Sequence, residues 1–300
     1  MAWRVVIALL IAGCSAPGPP IMADAGTSDD CPHFGSATEL GRFDTDLLNE
    51  ASGIVEGRRD GTVLWTHEDE HSILFAVDRR GALRGRFVLT GTAVEAKGDL
   101  EDIAIGPGPT AAEAYVYLGD IGDNDEKRSS IRIYRAIEPT LSGDPAPRPW
   151  PAESMEARYP DRPHNAETLW VDPASAELYV VTKVQGPAQV FKLGVFRAGA
   201  SVIAEAVATV EAPITTGGDI SADGRWLALR GYGRAGQLWE RRPNEDIASA
   251  LTRAPCVLPI PEERHGEALG FAADGTGFFT TSERKTDLSP EPISFTTLFQ

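Results

Sequence analysis

Leu100-Glu101-Asp102-Ile103-Ala104-Ile105-Gly106, followed after a turn by Ala114-Tyr115-Val116-Tyr117-Leu118, decides the reading of the fold. An acidic start, an alternating apolar stretch and a second run of β-branched and aromatic residues describe an antiparallel pair of strands. The same pattern returns at Ser52-Gly53-Ile54-Val55, Glu167-Thr168-Leu169-Trp170, Gly218-Asp219-Ile220-Ser221 and Glu267-Ala268-Leu269-Gly270. The corresponding residues Gly53, Asp102, Thr168, Asp219 and Ala268 are spaced by 49, 66, 51 and 49. A recurring unit of about 50 residues is that of a four-stranded propeller blade. The long spacing contains Glu138 to Pro151 with five prolines. Proline cannot join a sheet interior, so this segment reads as an inserted loop.

Working outward, each unit supplies further strands. Third strands are expected at 73–77, 131–134, 190–193, 237–240 and 293–299, and weaker fourth strands at 84–89, 155–159, 203–210 and 257–260. The last unit runs out of chain after its third strand. Thr38 to Asp44, from the other end, is the candidate for the missing one. Such a strand closes the ring and leaves no free edge. The fold class is therefore all-β, a single β-propeller of five four-stranded blades; six blades is the alternative, should the insertion hide another sheet. A β-sandwich would not need units of equal length. Trp65, Trp170 and Trp226 read as blade core, and only Glu245 to Arg253 looks helical.

The chain begins with Arg4 and an apolar run from Val5 to Ala12, ending in Ile11-Ala12-Gly13-Cys14. The run is too short to span a membrane and fits a secretory signal, and its end resembles the lipobox of bacterial lipoproteins. The expected organisation is a signal peptide over 1–13, a flexible tether over 14–36 rich in Pro, Gly, Ser and Asp, and the propeller over 37–300. Lipid on Cys14 is the expected membrane contact, placing a monomer in the cell envelope, at the outer membrane or cell surface. Cys31 and Cys256 are expected to pair in an oxidising compartment. A net charge of −16 excludes the basic footprint that nucleic acid demands.

In a propeller the start of each innermost strand and the end of the next lie on one face. That face collects Glu50, Glu101, Asp102, Glu167, Asp219 and Glu267 at strand starts, with His164 and His265 just before. At second-strand ends stand His67, Glu68, Asp69, Asp120, Asp123, Asn124, Asp125, Lys183, Arg230, Tyr232, Glu283 and Arg284. Crowded carboxylates repel, and a bound divalent cation is the simplest offset: hard oxygen ligands suit Ca²⁺ or Mg²⁺, while the three histidines keep a transition metal open as the weaker option. The expected metal set is Glu101, Asp102, Asp120, Asp123, Glu167, Asp219 and Glu267. The expected ligand-binding set is His67, Asp69, Asn124, Lys183, Arg230 and Arg284. Gly119-Asp120-Ile121-Gly122-Asp123-Asn124-Asp125 packs its acids into one tight loop but lacks EF-hand spacing. Structural hydrogen bonding between blades is the competing role for all these acids. No Gly-x-Ser-x-Gly, His-Glu-x-x-His or Walker motif occurs, and catalytic residues are not assigned.

Glu50-Ala51-Ser52-Gly53-Ile54, Trp65-Thr66-His67, Gly119-Asp120-Ile121-Gly122-Asp123-Asn124, Asn165-Ala166-Glu167-Thr168 and Gly266-Glu267-Ala268 together resemble a group of bacterial secreted propeller proteins of undefined activity. More distantly, the acidic strand starts are similar to phytase-like and esterase-like propeller domains. That resemblance implies calcium at the channel mouth, with Lys183, Arg230 and Arg284 taking a phosphate. True phytase propellers use six blades and a denser set of acids and lysines. Two readings stand: a cell-envelope lipoprotein binding a divalent cation and a small-molecule or protein ligand, and a Ca²⁺-dependent phosphoester hydrolase.

Overall fold

The computed structural model describes residues 31–44, 48, 50–68, 72–91, 98–284 and 291–299. The signal peptide, Cys14, most of the tether and Asp69 lie outside the described residues. Among the described residues, twenty-three strands form five separate sheets, as the repeat spacing requires. Blade one holds Ala51–Glu56, Val63–Glu68, Ile73–Asp78 and Leu83–Thr90; blade two holds Leu100–Pro107, Ala114–Asp120, Ile131–Ile137 and Glu153–Arg158. Blade three runs through Ala166–Val171, Glu177–Thr182, Ala188–Val195 and Glu205–Val210, and blade four through Thr215–Ile220, Trp226–Gly231, Ala235–Glu240 and Cys256–Pro259. Blade five has Gly266–Phe271, Gly277–Ser282 and Pro292–Phe299. The short helix Ile247–Ala250 is capped by Asp246, whose side chain accepts from Ser249 N.

The fifth blade is completed from the N-terminal side. Thr38–Arg42 and His33–Phe34 both pair antiparallel with Pro292–Phe299. A disulfide joins Cys31, beside this strand, to Cys256 in the outer strand of blade four, across 225 residues of sequence. The two ends of the ring are thus held by a ladder and a covalent bond.

The proline-rich segment is a correction to the expected loop. Pro147–Pro151 adds a parallel fifth strand to the outside of blade one. The prolines fall at 147, 149 and 151, every second residue, so their missing N–H groups all belong to the edge turned away from the partner strand. Trp150, between them, is buried and donates to Ile137 O at 2.9 Å. Blade two gains a parallel fifth strand at Ser201–Ile203.

Five hydrophobic clusters fill the five interfaces between successive blades. Trp65, Trp170 and Trp226 each lie in one, at most 2% exposed. Buried carboxylates stitch the same interfaces. Glu138 joins blades two and one by accepting from Arg58 N, Arg59 N and Trp65 Nε1. Asp102 accepts from Leu169 N of blade three, and Asp172 of blade three pairs with Arg241 of blade four at 2.8 Å. Asp219 accepts from Phe271 N of blade five, and Glu56 of blade one from Ala273 N. Each bond satisfies a buried backbone or side-chain donor that a ring of flat-faced sheets leaves over.

Because the disulfide closes so long a loop, its entropic contribution is near the top of the usual range. Cys256→Ser is expected to lower unfolding free energy by about 2–5 kcal/mol with unchanged circular dichroism. Urea denaturation checks this; an unchanged midpoint would show that the strand ladder alone closes the ring.

Candidate functional site

Each innermost strand carries a register shift near its start. The irregularities fall between Leu100 and Asp102, Ala166 and Thr168, Thr215 and Gly217, and Gly266 and Ala268. A bulge leaves one residue outside the ladder and re-aims its side chain. In blades two, three and five that residue is Glu101, Glu167 or Glu267; in blade four it is Thr216. Blade one has its irregularity between Ala51 and Ile54, at Ser52-Gly53.

The three glutamates converge. All are buried, and one carboxylate oxygen from each lies within 4.8 Å of the others. Lys183 Nζ donates to Glu167 Oε1 at 2.5 Å and lies 3.9 Å from Glu267 Oε1. Lys183 also donates to the Tyr232 hydroxyl at 2.9 Å, which in turn donates to Glu267 Oε1 at 2.9 Å. The Tyr232 ring stacks on His265, centroids 4.7 Å apart, and His265 Nδ1 meets Glu283 Oε2 at 3.0 Å. His265, Glu267 and Glu283 form a second group with ligand atoms within 4.8 Å. Glu167 Oε2 is buried with no hydrogen-bond partner.

Burial dominates the electrostatics. It pushes Glu167 up to about 7, helped by Glu267 and opposed by Lys183. It pushes Glu267 up to about 7 as well, with Glu283 adding to the rise. Burial would pull Lys183 down, but contact with Glu167 outweighs it and holds the ammonium charged. One lysine therefore faces several acids in a region sparing of water.

The other expected site residues take different places. Asp219 was expected beside Glu101 and Glu167, but the blade-four bulge falls at Thr216, so Asp219 stands three residues beyond it, deeper along the strand. There it caps Ile220 N and Phe271 N. Asp102 does the same for Ile103 N and Leu169 N. Asp120 binds Asp99 N and pairs with Arg128 at 2.7 Å; Asp123 accepts from Lys127 N and Arg128 N. The Gly119–Asp125 loop thus folds on itself. It presents Asn165 with two contacts, from Asp123 N and to Asn124 Oδ1, and so fixes the strand that carries Glu167. Gly122 packs where a Cβ would run into the Glu101 and Asp99 carboxylates.

Arg230 is 2% exposed, paired with Glu263 at 2.6 Å and donating to Ala268 O; it serves the interface of blades four and five. Arg284 is half-buried at the end of the second strand of blade five. His67 is fully buried, and burial lowers it to about 4. His164 packs on Tyr159 and Phe191 and meets Asp161. Tyr232, His265 and Glu283 were legible as residues of this face, yet nothing in their spacing distinguished them from its other polar groups.

No protein-family profile matches the chain, and no curated protein is similar to it. Solved structures do match. A gluconolactonase from Xanthomonas campestris is 12% identical with a TM-score of 0.50, over 90% of this chain and 96% of that one. The chain shares its fold. A luciferin-regenerating enzyme is 10% identical with a TM-score of 0.47, over 89% of this chain and 95% of that one. At such identity the likeness is one of fold, and the propeller's chemistry must be read from its own side chains.

Glu167 and Glu267 hold protons more tightly folded than unfolded, so their contribution to stability is full at low pH and lost as pH rises through about 7. His67, lowered from 6.5 to about 4, works against stability only below pH 6.5. In chelator the thermal midpoint is therefore expected to rise as pH falls from 8.5 to 6.5. A flat or falling midpoint in differential scanning calorimetry would contradict this electrostatic account.

Proposed function

We propose that this protein is an exported lipoprotein, anchored through Cys14, whose propeller binds a divalent cation and a small ligand at one channel mouth. Glu101, Glu167 and Glu267 hold the cation. Among the residues expected to bind metal, only these three meet around one point. The observation that carries the reading is Glu167 Oε2, an acceptor 3% exposed at residue level and without a partner, in a group of three buried carboxylates. An orphaned acceptor of this kind costs roughly 1–3 kcal/mol unless a ligand meets it. Carboxylate oxygens suit Ca²⁺, which accepts mono- and bidentate carboxylates in flexible geometry. His265 and Glu283 widen the donor set on the side of Glu267.

Lys183 shares Glu167 Oε1 with any such ion. Its role in the metal-bound protein is to move toward Tyr232 and offer its charge to an oxyanionic ligand. A phosphate reading that also needed Arg230 has less support, since that guanidinium is committed to Glu263.

Calorimetric titration of the purified, chelator-treated protein with Ca²⁺ and Mg²⁺ tests the reading. Ca²⁺ is expected to bind one site. Glu167→Gln is expected to weaken it about tenfold or more, roughly 1.4 kcal/mol per decade, and Lys183→Met to tighten it severalfold by removing a competing charge. Absence of binding heat with either ion, together with an unchanged melting temperature, would overturn the cation site.

A further inference from the structure

A cavity of about 280 Å³ opens beside the carboxylate group, lined by Pro213, Ile214, Leu229, Tyr232, Ala235 and Gln237 among others. It lies on the acidic face. Its walls are the turn before the first strand of blade four, the end of the second strand and the start of the third. Its lining is mostly carbon, with Thr215, Arg230, Tyr232 and Gln237 as its polar side chains. Of these, Tyr232 is the link to the carboxylate group, since its hydroxyl bonds both Lys183 and Glu267. The opposite wall is tied to the same cluster: Ile214 N donates to Val184 O, the residue after Lys183, at 2.7 Å. Ile214 holds φ +54°, in the left-handed region that β-branched side chains avoid. Such strain persists only where the surroundings impose it, and it collects at ligand sites. Here it sets the Ile214 side chain in the cavity wall.

We propose that this cavity takes the apolar body of a small amphiphilic ligand whose carboxylate head is held at the neighbouring Glu101, Glu167 and Glu267 cluster. The head is held through the cation proposed above and by Lys183, so the inference rests in part on that reading. Size limits the body. An apolar cavity of about 150 Å³ takes benzene, so this one takes a ring or a short alkyl chain, and it stands at the lower end of small-molecule pockets. Tyr232 stands between the two subsites, lining the cavity and bonding the cluster through its hydroxyl.

Binding of acetate, butyrate, hexanoate and phenylacetate to the whole protein, with and without Ca²⁺, tests this by calorimetry. Affinity is expected to rise about two- to fourfold per added methylene, up to hexanoate. Ala235→Phe, at an exposed strand position on the cavity wall, is expected to abolish the chain-length dependence while leaving Ca²⁺ affinity and melting temperature unchanged. Affinity independent of chain length, or a dependence that survives Ala235→Phe, overturns the proposal even where Ca²⁺ binds normally. Chain-length dependence that appears without any Ca²⁺ binding keeps the cavity and the Lys183 contact, and removes the cation reading alone.

Discussion

Closure of the ring is the constraint on which everything else here depends. The clustered glutamates come from blades two, three and five, and their partners Lys183 and Tyr232 from blades three and four. Glu167 and Lys183 face each other across one hairpin of blade three; the others are far apart in sequence. They meet because blade five is completed by Thr38–Arg42 and His33–Phe34 and pinned by Cys31–Cys256. An open arc of sheets would leave an exposed edge and let the interfaces slide. A closed one forces the starts of the innermost strands to face each other across a few ångströms.

Within the ring, buried carboxylates fall into two groups with different physics. Glu56, Glu138, Asp102 and Asp219 spend their oxygens on N–H groups of their own or adjoining blades. Those bonds return part of the desolvation cost, and charged acceptors make the stronger bonds. Glu101, Glu167 and Glu267 face one another instead. Burial first and repulsion from a neighbouring acid second push Glu167 and Glu267 up to about 7, and Lys183 opposes this only in part. The cation proposed above would offset that cost. The bulge decides which group a carboxylate joins: on the ladder it staples, off the ladder it turns to the channel mouth.

The cavity of blade four extends the same logic. Tyr232 belongs at once to the polar cluster and to a carbon-lined hollow, so the mouth has a hydrophilic seat and an apolar one side by side. A ligand bound as proposed would be selected by shape as well as by charge, which a carboxylate group alone would not do.

By itself the sequence determined the repeat, its five units and the candidate for the closing strand, because period-2 alternation and turn residues are local and survive without coordinates. Five blades rather than six, and the bond between Cys31 and Cys256, are decided by the tertiary structure, which alone sets which strands share a sheet and which cysteines lie within reach. The sequence also set acids at or near the starts of the innermost strands. Tertiary structure decided what each of them does. Gly218-Asp219 looks like Glu101-Asp102 as text, and Asp219 does take the interface role of Asp102, but the residue left off the ladder in blade four is Thr216, so that blade adds no carboxylate to the cluster. Arg230 reads as a mouth residue until Glu263 claims it. The prolines at 147, 149 and 151 read as a loop until their alternation is set against an available sheet edge. In each case the deciding quantity is a register or a partner many residues away, and one residue's slip along a strand turns a side chain to the other face.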